Sequence, residues 1–244
     1  MSEQEVIYNN EDLYIMLDSL LRNEGEWWNE FYCNREKDIP FFKNAPDENL
    51  VSYFERKLLK AGKVLELGCG SGRNAIYFSG RGCSVDGVDI SDEAIKWARE
   101  RTYQRGYDIT FHCKSIFNFD YIPHSYDIVY DCGCFHHIAP HRRTSYIQLI
   151  LDALKIDGKF CIVCFNTEGG SAISDCEVYR QRSMKGGLGF LEKKFRNIFE
   201  KDFIIKEFRQ MMDCKSEDLF GVPYVWTSLI EKREIHKKTS PFIL

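Results

Sequence analysis

Glu66 stands two residues before Gly68 in VLELGCGSGRNAIYF, and Gly70 and Gly72 follow at once. A second acid, Asp89, lies in the segment VDGVDIS about 20 residues beyond the first glycine, where related nucleotide folds keep a ribose-binding acid. A glycine-rich turn between a strand and a helix commonly receives a phosphate, because backbone N–H groups converge there. A carboxylate at its mouth would repel that guest and attract a cation. The phosphate-binding loop G-x-x-x-x-G-K-[ST] needs a lysine after its glycines, and Arg73 and Asn74 stand there instead. The dinucleotide fingerprint G-x-G-x-x-G has its third glycine replaced by Arg73, and Gly72 turns the pattern into G-x-G-x-G.

S-adenosylmethionine has the polarity that these residues ask for: an ammonium, a sulfonium, a carboxylate and no phosphate. The glycines would let backbone approach its methionine part, and amides at the start of the following helix would face its carboxylate. Asp89 would accept both ribose hydroxyls. A nicotinamide cofactor uses the same acid, so Asp89 by itself indicates adenosine. Its other reading is a helix cap, a task that Ser91 already fills.

Acid–base chemistry has its candidates in DCGCFHHIAPHRR: Asp131, His136 and His137. A histidine at the rim of an open sheet could take a proton from an acceptor near neutral pH. Helix capping or a core histidine is an equally good account, and a thiolate acceptor needs no base. His141, Arg142 and Arg143 open a helix, with Arg143 able to face a substrate anion. Trp28, Phe41 and Phe42 suit the walls of a sulfonium site through cation–π contact, or pack simply as core. The ten cysteines read as free thiols in a chain of this length. Cys161 and Cys164, three apart on a strand, point to opposite faces and cannot share an ion. Cys132 and Cys134 have no second pair to complete a zinc set, so no metal is expected.

The elements that must position these groups alternate regularly. Residues 10–35 read as helical, and DIPFFKNAP as a loop. Asp47 is placed to cap a helix through Leu50, Phe54, Leu58 and Leu59, closed by Gly62. KVLEL, CSVDGVDI, DITFHC, YDIVYDC and KFCIVCF read as strands one to five, with helices after the first, second and fourth, the last of these ended by an Asp157–Gly158 turn. The helix after strand two runs to about Arg105 and stops at Gly106. Such alternation implies an α/β, Rossmann-like, doubly wound and mostly parallel sheet with helices on both faces. Residues 166–189 are polar and glycine-rich, as lids and binding loops often are, and offer Asp175, Tyr179 and Arg180 for acceptor recognition. FIIKEFRQM and YVWTSLIEK then form an antiparallel C-terminal hairpin, bringing the sheet to seven strands. One domain over 1–244 is expected, with an N-terminal helical and aromatic cap (1–46), a cofactor-binding core (47–165), a substrate loop (166–189) and a C-terminal helix and hairpin (190–244).

Bulk properties set the frame. The chain has 244 residues, 44% hydrophobic and 29% charged, with a net charge of -4. That balance argues against a nucleic-acid partner. No stretch approaches the roughly 20 apolar residues of a membrane span, and the polar start MSEQEVIYNNEDLY lacks a signal-peptide core. A cytoplasmic protein with a small-molecule partner is expected; nothing here fixes its oligomeric state.

VLELGCGSGRNAIYF, VDGVDIS, YDIVYDCGCFHHI and ALKIDGKFCIVCF, in this order over Lys63 to about Phe165, resemble the successive motifs of class I S-adenosylmethionine-dependent methyltransferases. CKSIFNFD, YDCG and the N-terminal aromatic cluster further resemble the thiopurine and thiol branch, with its tellurite-resistance-type relatives. The resemblance implies methyl transfer to a small-molecule acceptor, a thiol or similar soft nucleophile favoured, with S-adenosylhomocysteine as product. It implies a cofactor set of Trp28, Glu66, Gly68, Cys69, Gly70, Gly72, Asp89, Ile90, Ser115, Ile116 and Cys132. Glu66, Gly68 and Gly70 would line the methionine part, and Ile90 the adenine face. Ser115 stands where many class I members have an acid for the adenine amine, and Cys132 where the thiol branch has an arginine, leaving there a backbone contact alone. Trp27, Trp28 and Tyr32 match the segment that closes over the cofactor in that branch. Two alternatives remain: a cofactor-binding module without turnover, and a nicotinamide-dependent oxidoreductase, which Glu66 and Arg73 weaken. Nucleic-acid methylation is disfavoured, because DCGC replaces the Asp/Asn-Pro-Pro-Tyr of amino-methylating enzymes and no proline precedes a cysteine.

Overall fold

A computed structural model describes residues 6–103, 107 and 109–233. Seven strands form one sheet: β1 (Lys63–Leu67), β2 (Ser84–Asp89), β3 (Thr110–Cys113), β4 (Tyr126–Cys132), β5 (Leu154–Phe165), β6 (Phe203–Gln210) and β7 (Val225–Lys232). Their spatial order is β3-β2-β1-β4-β5-β7-β6. The pairs from β3 to β5 are parallel, and β7 is antiparallel to both β5 and β6. The C-terminal strands therefore pair as expected, but the last one wedges between β5 and β6 instead of lying outermost. The chain winds outward from β1 through β2 to β3, then returns to lay β4 against β1. That reversal opens a crevice at the carboxyl ends of β1 and β4, the usual ligand position in open α/β sheets.

Each face of the sheet has its own core. Helices α3 (Glu48–Glu55), α4 (Arg73–Gly80) and α5 (Asp92–Tyr103) bury Leu50, Tyr53, Phe78 and Ile95 with Val64 and Cys161. On the other face α6 (Arg143–Ala153), α7 (Asp175–Arg180) and α8 (Glu192–Phe199) bury Tyr146, Val178, Phe195 and Phe199 with Leu65, Phe160 and Cys164. Cys161 and Cys164 thus sit in different cores, as strand geometry requires. Each large apolar side chain taken fully out of water contributes about 1.5–3 kcal/mol.

Three local departures from expectation have physical causes. The segment 10–35 is two helices, α1 (Asn10–Ser19) and α2 (Glu24–Cys33), because Asn23 accepts the amide of Glu26 and starts a new helix. Asp47 precedes α3 without a side-chain capping bond; its carboxylate is taken by Arg73, Asn74 and Tyr130, and α3 ends before Leu58. β5 absorbs Asp157 and Gly158: Tyr126 pairs with Leu154 but Ile128 with Lys159, so residues 155–158 bulge within the strand instead of separating it from α6. α5 is described as far as Tyr103; the expected stop at Gly106 lies outside the described residues.

α1 rests on the body of the protein without burying a single residue. It is held by ions: Arg142 donates to Asp18 from Nε (3.0 Å) and Nη2 (2.6 Å) and to Glu11 from Nη1 (2.8 Å). Among the described residues no helix is long and apolar enough to cross a membrane, and no cluster of His, Cys, Asp and Glu could hold a metal ion.

Candidate active site

A cavity of about 2070 Å³ opens at the crevice between β1 and β4. Pockets for one small ligand span roughly 300–1,000 Å³, so this one has room for two. One side is built by the turn after β1, the ends of β2 and β4, and the segment after β3. The other is built by α1, α2, the residues around Phe41, and the lead-in to β7.

The turn after β1 is tied to the end of β2 by a single carboxylate. Asp89 accepts the amide of Gly70 through Oδ2 and that of Ser91 through Oδ1, both at 2.8 Å. It lines the cavity while 7% exposed, and burial raises its carboxyl pKa despite these bonds. Gly70 has φ +53°, and a Cβ there would meet the hydroxyl of Tyr32 at 2.6 Å. The cap therefore closes directly on the turn, and only glycine fits beneath it. Ser91 also does what its position promised, accepting the amide of Ala94 at the head of α5.

Glu66 is the second acid of the cavity wall, 2% exposed. One of its oxygens, Oε2, is buried without a hydrogen-bond partner. Burial pushes its carboxyl up to about 8, against the opposing pull of Arg73 and the Ala75 amide. A buried carboxylate with an idle oxygen is costly unless a cation completes it. Arg73 does not serve as that partner. Its Nη2 lies 2.6 Å from Asp47, Nη1 donates to the carbonyl of Ala45, and Nη2 also reaches Cys132 Sγ at 3.1 Å.

Of the remaining expected cofactor residues, Trp28, Gly68, Cys69, Ile90, Ser115, Ile116 and Cys132 line the cavity. Gly72 does not. It precedes α4 with φ +77°, and a Cβ there would press on Ala98 and Phe111, so its role is close packing of α4 and α5. In the cap, α2 presents Trp28, Phe31 and Tyr32 inward, with Phe41 beside them. Trp27 faces outward, stacked on Phe31 under Arg22, and Phe42 is buried behind the wall.

The acid–base candidates change character. Asp131 is fully buried and absent from the cavity wall; it accepts the hydroxyl of Tyr146 at 2.5 Å and the amides of Cys134 and Phe135. Burial pushes its carboxyl up to about 7. Asp131 shapes the turn after β4 and is withdrawn as a proton carrier. Tyr146→Phe is expected to cost about 1–3 kcal/mol in urea denaturation, the penalty for stranding a buried acceptor; unchanged stability would mean that the carboxylate is free for other work.

His136 and His137 do line the cavity. His136 lies flat on Phe165, ring centroids 3.7 Å apart, and its Nδ1 accepts the backbone N–H of Phe165 at 3.1 Å. A lone pair committed at Nδ1 leaves the proton on Nε2. Burial lowers its pKa well below the ordinary histidine value. His136 is therefore a neutral hydrogen-bond donor. His137 packs against the edge of Trp28 at 4.8 Å, and burial pushes its imidazole down to about 3. Neither ring is tuned to take a proton at neutral pH.

The expected substrate loop is mostly elsewhere. Asp175 pairs with Arg143 and Lys194, Tyr179 bonds His141, and Arg180 pairs with Glu177 at the surface. From 166–189 only Met184 reaches the cavity wall. Sequence reasoning missed the residues that replace it: Ile15, Met16 and Arg142 at one end, and Phe220, Val222, Tyr224 and Val225 at the other. The antiparallel register pairs Val225 with Phe165, which brings the lead-in to β7 to the carboxyl end of β5.

Residues 64–158 match the family model of a methyltransferase domain. Over 85 residues the chain is 36% identical to an uncharacterized methyltransferase of Schizosaccharomyces pombe, covering 33% of this chain and 59% of that protein. It is 32% identical over 151 residues to cyclopropane-fatty-acyl-phospholipid synthase of Escherichia coli, covering 60% of this chain and 36% of the synthase. The chain thus spans less than two thirds of either relative. Thiopurine S-methyltransferase of Francisella tularensis is 21% identical over 203 residues, covering 74% and 89%. Among solved structures, one from work on converting a disulfide bond into a thioacetal during echinomycin biosynthesis superposes with a TM-score of 0.66, at 21% identity, covering 86% of this chain and 92% of that one. The Burkholderia thailandensis 1,6-didemethyltoxoflavin-N1-methyltransferase, solved with bound 1,6-didemethyltoxoflavin and S-adenosylhomocysteine, gives 0.64 at 18% identity and covers 95% and 94%.

Proposed function

We propose that this chain, whose residues 64–158 match a methyltransferase domain, is a class I S-adenosylmethionine-dependent enzyme that transfers a methyl group to a small-molecule acceptor bearing a soft nucleophile, a thiol above all. The observation that carries the reading is the pair of buried carboxylates at the ends of neighbouring strands, Glu66 with an idle oxygen and Asp89, facing one cavity. They suit a cationic amino acid joined to a ribose, and would repel a pyrophosphate.

When bound, S-adenosylmethionine supplies a methyl on a cationic sulfur; the acceptor forms its bond to that carbon as the carbon–sulfur bond breaks, the electron pair leaving with sulfur. Glu66 would hold the ammonium end, Asp89 would accept from ribose, and Ile90 and Ile116 would flank the adenine. Trp28, Phe31 and Tyr32 would exclude water above. His136 and His137, both neutral, leave the acceptor's proton to solvent. That favours nucleophiles already reactive near neutral pH, as thiols partly are. The thiopurine relative is a weaker support for the same choice.

Calorimetry with S-adenosylhomocysteine against NADH tests the cofactor; tight NADH binding alone would replace the reading with an oxidoreductase. Labelled S-adenosylmethionine with a panel of thiols, halide, tellurite and small phenols tests turnover. Tight cofactor binding with no methylated acceptor would favour a binding module.

The acid at Glu66 predicts a pH signature. Its proton is held to about 8 in the folded chain and only to 4.5 in the unfolded one. The folded state thus binds more protons between these values, and the free protein loses stability as pH rises through that window. A cationic ligand needs the ionised form, so affinity should rise from pH 6 to 8 with proton release, and Glu66→Gln should flatten the slope. Calorimetry in buffers of different ionisation enthalpy reads the protons; a flat wild-type profile would remove Glu66 from the ammonium site.

A further inference from the structure

The part of the cavity beyond Glu66 and Asp89 is chemically distinctive. Phe41, Phe165, Phe220, Val222, Tyr224 and Val225 form a continuous apolar wall, which packs as one cluster with Val163. Among the described residues three arginines line the cavity, and each is already matched by carboxylate. Arg22 makes a forked contact with Glu24 at 2.9 and 3.1 Å. Arg73 pairs with buried Asp47. Arg142 is held by both Glu11 and Asp18. His136 sets a polar edge beside the apolar wall, its Nε2–H, fixed as a donor by the Phe165 amide at Nδ1.

Resting on the methyltransferase reading, we propose that the acceptor is an apolar, ring-bearing molecule that carries no carboxylate or phosphate and presents one hydrogen-bond-accepting atom to His136. A fixed anion entering here would leave water and meet no unpaired cation, which is a desolvation cost without return. A flat ring gains the aromatic wall, and the cavity has the volume for it beside the cofactor. His136 is a positioning and specificity residue in this scheme; it donates, and it does not carry the acceptor's proton.

The test uses the full chain loaded with S-adenosylhomocysteine and matched pairs of probes. 4-Methylbenzenethiol is paired with 4-mercaptobenzoate, p-toluidine with 4-aminobenzoate, and p-cresol with 4-hydroxybenzoate. Calorimetric binding to this complex is measured for every pair, and kcat/KM is measured separately with S-adenosylmethionine for those that turn over. The neutral member of each binding pair is expected to be favoured at least about tenfold. Equal or better binding of the carboxylates, or no binding by any probe, overturns the proposal. His136→Asn keeps an acceptor for the Phe165 amide and loses Nε2–H; KM should rise about 3- to 10-fold with little change in kcat. A fall in kcat alone would contradict the positioning role. Failure to bind S-adenosylhomocysteine at all would overturn the methyl-donor reading, a result separate from a reversed acceptor preference.

Discussion

Asp89→Ala is expected to weaken S-adenosylhomocysteine binding by about 100-fold or more while the protein remains folded. The substitution acts twice. It removes the carboxylate that would accept from ribose, and hydrogen bonds to a charged group contribute about 1.5–3 kcal/mol each. It also strands the amides of Gly70 and Ser91, which Asp89 holds at 2.8 Å. The turn that should cradle the methionine part then loses its tie to β2. Asp89→Asn separates the effects: it keeps the shape but sets an NH₂ against one of the two donors. Glu66→Ala should disturb less, because Oε2 has no partner to lose and the Ala75 amide alone loses one. Calorimetry reads affinity and circular dichroism reads the fold. Wild-type affinity in both alanine variants would undo the cofactor assignment.

The second large effect is on stability. Asp47→Ala leaves the Arg73 guanidinium, 7% exposed, without its carboxylate partner. Breaking one side of a buried ion pair costs about 3–5 kcal/mol, because the survivor stays desolvated. For a domain of this size that amounts to a fall of about 10 °C or more in Tm. Asn74 and Tyr130 bond the same carboxylate and would be stranded with it. Arg73→Met in the Asp47→Ala background should recover much of the loss, since no charge then remains uncompensated. Thermal and urea unfolding of the single and double variants decide the point; a double variant as unstable as the single would locate the cost in packing instead.

Some of this arrangement was legible in the residues alone, for identifiable reasons. Glu66 and Asp89 end strands whose lengths and glycines fix where their carboxyl ends lie, so local pattern sufficed. Period-two alternation also held the answer for Asp131. Leu67 pairs with Asp131, and Glu66 with Tyr130. Glu66 and Cys132 therefore share a face that Asp131 does not, and its carboxylate falls under Tyr146 of α6. Gly72 was misassigned because a glycine needed for close helix packing looks the same in sequence as one needed for a ligand. The apolar wall of the cavity was illegible for a longer-range reason. Composition marks 166–189 as a loop, but its acids and bases are consumed by one another and by α6 and α8. The residues that face the cavity are selected by where β7 inserts, and that is a property of the whole sheet.

That insertion also bears on how the protein is made. β5 can lie against β4 as soon as both have left the ribosome, yet its other edge waits for Val225–Lys232. During that interval Phe160 to Cys164, all later buried, form an unpaired apolar strand edge. The nascent chain is thus open to mispairing and to chaperone capture until its final strand emerges. The same late event sets Val222, Tyr224 and Val225 against the cavity, so a partly synthesised chain can own its glycine turn and lack the apolar side of its cavity.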